Sequence, residues 1–261
     1  ITALGATIEF GDLDVLIQRV AEPRDGDETA VADAALAAAC QRMADREAAT
    51  AKLVAAMSSA AAPVKGRFLE ILARIGGGGA LQTLGAAVKD ADPQIQDTAS
   101  RLLGEWMDVD AGPVLLDLAK NAADDKYKTR ALRGYIRLVR QFDMPDDQRA
   151  EMCRAALDAA QRTAEKKLVL EVIGRYPNAA MLSLALDAAR NPELKNEAMA
   201  VAMIVAEKTG ARSAELQKLL SEMGQGTVEI EIVKAEYGAG TNVKDVTTIL
   251  RKHVRNFPVI I

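Results

Sequence analysis

IGGGGALQTLGAAVKDADPQIQDTASRLLGEWM, residues 75–107, is the stretch that decides the fold. It predicts a helix, a tight turn and a second helix. Asp92 is a good N-cap for the second helix, and Pro93 costs nothing at the first helical position, where its missing N–H would have no partner within the helix. Apolar residues then recur at helical spacing, at Ile95, Ala99, Leu102 and Leu103. The stretch therefore indicates a helical hairpin whose second helix has one apolar face.

The hairpin recurs along the chain with a loose period. The leading apolar position in the first helix of each unit falls on Val31, Val64, Ile95, Tyr127, Ala164 and Leu194. Their spacings lie between 30 and 37 residues, which implies a period near 33. A helical hairpin repeated at this period is typical of an α-solenoid, because no single hairpin can bury its own apolar face and each is stabilised mainly by its neighbours.

Two short motifs resemble the HEAT-repeat family. They are the Asp-x-Asp-Pro junction at residues 90–93 and the Ala-x-x-Leu-Leu-Gly run at residues 99–104. The family's usual Val-Arg after the proline is Ile95-Gln96 here. The likeness extends over roughly the first 220 residues. It implies an all-α fold, a right-handed α-α superhelix or HEAT-like solenoid of about six helix pairs, in which the second helices line the concave side.

Periodicity and helix breakers place the individual helices. The first ten residues are expected to be the tail of a preceding helix. Further helices are expected at about 12–20, 28–43, 46–58, 62–75, 79–89, 93–107, 112–120, 125–141, 146–161, 163–175, 178–189, 192–208 and 212–223. We expect them to pair as 28–43 with 46–58, and so on along the chain.

The pattern changes after residue 223. Residues 227–233 alternate as a strand does, residues 243–255 have the period of a short amphipathic helix, and residues 257–261 begin a second strand. We therefore predict two domains, a solenoid over residues 1–223 and a small strand–helix–strand module over residues 224–261. Such a module is too small to form a stable sheet alone, so we expect it to be truncated and to cap the last repeat.

The module also resembles a known one. The run at residues 233–238, followed by Asp245-Val-Thr247, resembles the C-terminal module of DnaJ homolog subfamily C member 11-type proteins. The resemblance implies no assigned chemistry. The chain begins at Ile1 without a methionine, and Leu4-Gly5 falls where a helix should end. We therefore expect a segment of a longer protein that begins inside a repeat, and both a cytoplasmic and a cell-envelope location remain open.

Composition opposes several classes of function. Hydrophobic residues make up 49% of the chain but aromatic residues only 3%, and the net charge is −4. Few rings and an acidic balance argue against a nucleic-acid partner. A third possible class is an enzyme in its own right, such as the HEAT-like DNA glycosylases or bilin lyases, and the same features oppose the glycosylases. No apolar run approaches the ~20 residues that span a bilayer. We expect a monomer with no membrane span.

Candidate catalytic and metal-binding residues are scarce. His253 is the sole histidine, and Cys40 and Cys153 lie about three repeats apart, which is too far for a disulfide. The glycine run at residues 76–79 lacks the lysine and the preceding strand of a phosphate-binding loop. We therefore predict no catalytic residue, no metal site and no cofactor.

The charge pattern is the one feature that suggests a site. Residues 1–124 carry a net charge of −8, whereas residues 125–175 carry +4. Within the positive segment, cations recur every three or four residues, at Lys126, Arg130, Arg133, Arg137 and Arg140. This spacing places all five on one face of one helix, which we call the basic stripe. Two interpretations stay open: a solvated face paired with acids on adjacent helices, or a docking site for an acidic protein partner.

These observations favour a non-enzymatic protein-interaction scaffold that forms one segment of a larger protein. Stacked repeats present an extended ordered surface rather than one deep pocket. The alternative is a regulatory or substrate-positioning segment of a multidomain enzyme whose catalytic domain lies outside this chain.

Overall fold

The described part of the chain is an all-α superhelix of paired helices. A computed structural model describes residues 1–210, so the helix expected at 212–223, the domain boundary and the strand–helix–strand module lie outside the described residues. Within residues 1–210 there are thirteen α-helices. They are α1 (Thr2–Thr7), α2 (Leu13–Ala21), α3 (Gly26–Arg42), α4 (Arg46–Ser58), α5 (Ala62–Ile75), α6 (Gly78–Ala87), α7 (Pro93–Gly104), α8 (Gly112–Asn121), α9 (Asp125–Gln141), α10 (Asp146–Ala159), α11 (Thr163–Arg175), α12 (Ala179–Ala188) and α13 (Lys195–Thr209).

The helices form two layers. The odd-numbered helices stack on one another in chain order, and the even-numbered helices lie against them as a second layer. The solenoid predicted from the repeat period is thus confirmed, with six pairs that run from α2–α3 to α12–α13. The pairing differs from the expected one. Each odd helix from α3 to α11 packs more extensively on the helix before it than on the helix after it, so the pairs are α2–α3, α4–α5 and so on, rather than α3–α4. The odd-numbered members from α3 onward are therefore the second helices of their pairs.

Aspartates cap three of the odd-numbered helices, among them α7, where the Asp92-Pro93 junction predicted it. The Asp92 carboxylate accepts a hydrogen bond from the Gln94 backbone N–H at 2.8 Å. Asp25 caps α3 and Asp124 caps α9 in the same way. Each cap satisfies a backbone donor that the helix itself leaves free and fixes the residue at which the second helix starts.

One apolar interior runs between the layers. Leucines and one phenylalanine from successive helices are fully covered, among them Leu16, Leu36, Leu53, Phe68, Leu84, Leu103, Leu115 and Leu138. Cys40 and Cys153 are buried free thiols in the same interior. Burial raises the pKa of Cys40 to about 11 and that of Cys153 to about 12. Both cysteines therefore act as small apolar residues rather than as nucleophiles.

Small residues let the second helices approach closely. A Cβ atom added to Gly134 in α9 would lie 3.0 Å from the Gly104 Cα in α7 and 3.1 Å from the Gly104 carbonyl oxygen. Near the amino terminus, a Cβ on Gly5 would lie 2.8 Å from the Ala35 Cα. These distances are shorter than ordinary van der Waals contact, so the spacing of neighbouring second helices depends on missing side chains.

We expect Gly134→Leu to destabilise the protein by about 1–3 kcal/mol, because the new side chain must force α9 away from α7. The matched control is Gly66→Leu in α5, where nothing lies within 4 Å of an added Cβ. Since leucine is a better helix former than glycine, the control should gain up to about 1 kcal/mol. Denaturant unfolding of the two variants checks this, and equal midpoints would contradict close helix contact at Gly134.

Candidate functional site

A groove of about 670 Å³ lies where α7, α9 and α11 run side by side. Seven cations contribute to its lining: Arg101, Lys126, Lys128, Arg130, Arg133, Arg137 and Arg162. Three carboxylates contribute as well, from Glu105, Asp125 and Glu165. Four members of the basic stripe therefore line the groove, and Arg140 lies outside it. We call this site the basic groove.

The first group of charges, the Asp97 cluster, joins α7 to α9. Lys126 Nζ lies 2.6 Å from Asp97 Oδ1, and Arg130 Nη1 lies 3.1 Å from the same oxygen. Arg130 Nη1 also donates to the Asp97 backbone carbonyl at 3.1 Å. The hydrogen bond from Lys126 and that from Arg130 hold the pKa of Asp97 below its usual value. One carboxylate thus serves two cations and leaves the cluster with one net positive charge.

The second group, the Glu165 cluster, joins α9 to α11. Arg133 lies 3.0 Å from Glu165 Oε1, and Arg162 donates to both carboxylate oxygens, at 2.6 and 2.8 Å. The Glu165 side chain is only 2% exposed, whereas both arginine side chains are 56% exposed. The hydrogen bonds, that from Arg162 above all, lower the pKa of Glu165. This cluster also has two cations for one carboxylate, and its guanidinium groups face solvent.

Arg137 lies farther along α9 and has no carboxylate within ion-pair distance in the described residues. Its Nη2 donates to the Trp106 backbone carbonyl at 2.7 Å, and its Nε is buried without an acceptor. Burial lowers the pKa of the guanidinium, Glu105 opposes the shift, and the like charge of Arg140 adds to it. Because arginine keeps its proton in proteins, Arg137 is a third positive centre, held in place by a neutral partner.

At the α7 border of the groove, carboxylates outnumber cations. Arg101 pairs with Glu70 at 2.9 Å and with Glu105 at 3.7 Å, so this group has two carboxylates for one cation. Lys128 pairs with Asp125 at 3.3 Å. The positive excess therefore lies along α9 and its border with α11.

The geometry bears on one interpretation of the basic stripe: Lys126, Arg130 and Arg133 do pair with acids on adjacent helices. No observation tests the docking site, which stays a prediction. Sequence reasoning missed Arg162, which completes the Glu165 cluster. The signal that could have found these clusters is the repeat period itself, because Asp97 precedes Arg130 by 33 residues and Glu165 follows Arg133 by 32.

Residues 1–210 hold neither a metal-binding cluster nor a membrane-spanning helix. This part of the chain contains no group of three or more His, Cys, Asp or Glu residues placed to hold a metal ion. None of its helices combines the length and the apolar character needed to cross a membrane. Trp106, whose carbonyl anchors Arg137, has its ring buried in the core.

Comparison with known proteins identifies the part of the chain that matches a family of helical repeats. Residues 50–135 match the family model for HEAT repeats. A crystal structure of a Kap121p mutant is similar over 86% of this chain, with 14% sequence identity and a TM-score of 0.42. The chain spans 26% of that structure's length. No curated protein matches. The match to HEAT repeats runs from within α4 into α9, and so includes the α7 side of the basic groove.

We expect Glu165→Gln to destabilise the protein at neutral pH by about 1–3 kcal/mol, because two arginines lose a buried charged acceptor. The folded pKa of Glu165 lies below its ordinary value of 4.5. Its stabilising contribution is therefore complete above that pH and is lost as the pH falls through the folded pKa.

Denaturant midpoints measured from pH 7 down to about pH 3 check this sign. The difference between wild type and Glu165→Gln should be largest near neutrality and should shrink under acid. Glu171→Gln, at an exposed position of the same helix, is the matched control and should follow the wild type. A constant difference at every pH would show that the ionised carboxylate does not stabilise the fold.

Proposed function

We propose that this chain is a non-enzymatic protein-interaction scaffold segment of a larger protein, and that the basic stripe and the groove around it hold an acidic partner. The observation that carries the proposal is the groove lining, with seven cations and three carboxylates at the junction of α7, α9 and α11. An ordered surface of repeats suits the binding of an extended partner.

The chemistry of the groove supports a binding role rather than catalysis. Glu165 in the groove, and Asp97, which pairs with the lining cations Lys126 and Arg130, are already engaged, and their lowered pKa makes both carboxylates weak bases. A general acid or base works best when its pKa lies near the operating pH. The alternative, a regulatory or substrate-positioning segment of an enzyme whose catalytic domain lies outside this chain, requires no such base in the groove.

The lining supports a protein rather than a nucleic acid as the partner. No aromatic side chain is among the lining residues of the groove. Single-stranded nucleic acids are commonly held by stacking of their bases on aromatic rings. The net charge of the whole chain, −4, also disfavours general attraction to a polyanion such as DNA or RNA.

The test is affinity capture with the full chain followed by quantitative mass spectrometry. The groove variant is Lys126→Gln/Arg133→Gln/Arg137→Gln, which removes charge but leaves Arg162 to hold Glu165. The matched control is Arg46→Gln/Lys120→Gln/Arg154→Gln, three exposed cations on α4, α8 and α10. Thermal unfolding of both variants verifies that they are folded.

We expect the groove variant to capture about tenfold less partner than the wild type. Each lost charge contact weakens binding, and the three effects combine. The control should capture the partner as the wild type does. High salt should reduce wild-type capture, because exposed charges are screened. Equal capture by the folded groove variant and the control would refute the basic groove as the binding surface.

A further inference from the structure

We infer that the Glu165 cluster is the anion-binding subsite of the basic groove, in which Arg133 and Arg162 together hold one carboxylate group of the acidic partner. This inference rests on the proposed function and names the group that the partner presents to the site. Glu165 is a positioning residue, since it fixes both arginines and does not itself contact the partner. Three observations carry the inference: the closeness of the two guanidinium groups, their free donors, and the burial of the acid that they share.

The two guanidinium groups are held close together because they share one oxygen atom. Arg133 Nη2 lies 3.0 Å from Glu165 Oε1, and Arg162 Nη2 lies 2.6 Å from the same oxygen. The two nitrogen atoms can therefore be at most 5.6 Å apart, which is the sum of these two distances. Charge-assisted N–H···O hydrogen bonds measure about 2.7–2.9 Å. A single oxygen atom, or the two oxygens of one carboxylate, can thus accept from both arginines at once.

Each guanidinium group keeps donors for a second acceptor. Arg162 directs Nε and Nη2 at the two oxygens of Glu165, and Arg133 directs Nε and Nη2 at Oε1. Neither Nη1 atom has an acceptor among residues 1–210. An arginine carries its N–H donors in a rigid fork, so the contact with Glu165 also fixes where the remaining donors point. Little side-chain freedom is then left to lose when an anion binds.

The acid of this cluster is hidden from an approaching anion, whereas its cations are not. The Glu165 side chain is buried, and both arginine side chains are more than half exposed. In the Asp97 cluster, by contrast, the carboxylate is 43% exposed and Arg130 only 28%. A partner carboxylate would meet an exposed negative charge at Asp97 but only guanidinium groups at Glu165. Of the two clusters, the Glu165 cluster is therefore the one that an anion can approach with less repulsion at short range.

The charge of the cluster favours a carboxylate over a phosphoryl group. Two arginines and one ionised glutamate leave one net positive charge. A carboxylate brings one negative charge and two acceptor oxygens, which match that excess. A phosphorylated side chain brings about −1.5 to −2 charges at pH 7 and would leave negative charge uncompensated within the cluster. The partner residue at this subsite is therefore an aspartate or a glutamate.

The experiment separates the effect of two paired arginines from that of net charge alone. Arg133→Gln/Glu165→Gln removes one positive and one negative charge, so the cluster keeps its net charge but has one guanidinium group instead of two. The matched control is Arg140→Gln/Glu171→Gln, the same two substitutions at exposed positions of the same two helices, outside the groove. The full chain is titrated into fluorescein-labelled hexaglutamate, and binding is measured by fluorescence anisotropy at low salt.

We expect Arg133→Gln/Glu165→Gln to bind hexaglutamate about fivefold more weakly than the wild type, because one of two charge-assisted contacts to the same carboxylate is lost. The control should bind as the wild type does. Arg162→Gln/Glu165→Gln removes the other guanidinium group at constant charge and should weaken binding to a similar extent. Thermal unfolding verifies that the variants are folded at the assay temperature, and the second double variant replaces the first if that one is not.

Two outcomes of the peptide titration would overturn the inference. Wild-type affinity in the folded double variants would refute the paired arginines, since net charge alone would then account for binding. No measurable binding of hexaglutamate to the wild type would refute a carboxylate subsite. A thymidine oligomer with six phosphates serves as the nucleic-acid probe. If it binds as tightly as hexaglutamate and the double variants weaken it equally, the subsite belongs to phosphate groups and the carboxylate is refuted.

Partner capture separates this inference from the proposed function. Loss of capture in the groove variant but not in the double variants would refute the paired arginines and leave the acidic partner intact. Capture that neither the groove variant nor the double variants change would refute both. Loss of capture in the double variants, with the Arg140→Gln/Glu171→Gln control unaffected, would support both.

Discussion

The contact between Gly104 and Gly134 is the constraint on which the rest of the groove depends. With no side chain at either position, the α7 and α9 backbones approach until a Cβ could barely fit between them. That distance brings Asp97 within reach of Lys126 and Arg130. It also lets Arg137 reach the carbonyl at the end of α7. Small residues in the core thus determine which charges meet at the surface, because side chains of fixed length can pair only across a fixed gap.

Ion pairs between neighbouring odd-numbered helices recur along the chain. They join residues about one period apart, among them Asp33 with Arg67, Glu70 with Arg101, Asp97 with Arg130, and Lys167 with Glu197. Exposed pairs of this kind contribute only about 0–1 kcal/mol each, so the apolar interior rather than the ion pairs supplies most of the stability. Their consequence is register, since a helix displaced by one turn would leave several charges without partners.

The sequence predicted what local signals determine. Helices α4, α5, α9 and α11 begin and end at the expected residues, because aspartate caps, prolines and apolar periodicity act within a few positions of each boundary. The expected pairing of the helices was wrong. Extensive packing such as that between α8 and α9 depends on the surfaces of both helices, and the sequence of one helix alone does not reveal it. The Glu165 cluster was missed for the same reason: its buried carboxylate and its two arginines come from both α9 and α11. The basic stripe was visible because its members share one helix.

The partial pairing of the cations on α9 with acids serves both the fold and the proposed binding. Five like charges on one face of α9 would repel one another and disfavour the helix. Asp97 and Glu165 relieve that repulsion, but each carboxylate is shared by two cations. Only half of the positive charge in each cluster is therefore neutralised. Full pairing would give a more stable and inert surface, whereas no pairing would leave long side chains without fixed positions. Partial pairing leaves positive charge that is ordered and exposed at the same time, so an anion that binds there would meet side chains with little freedom left to lose.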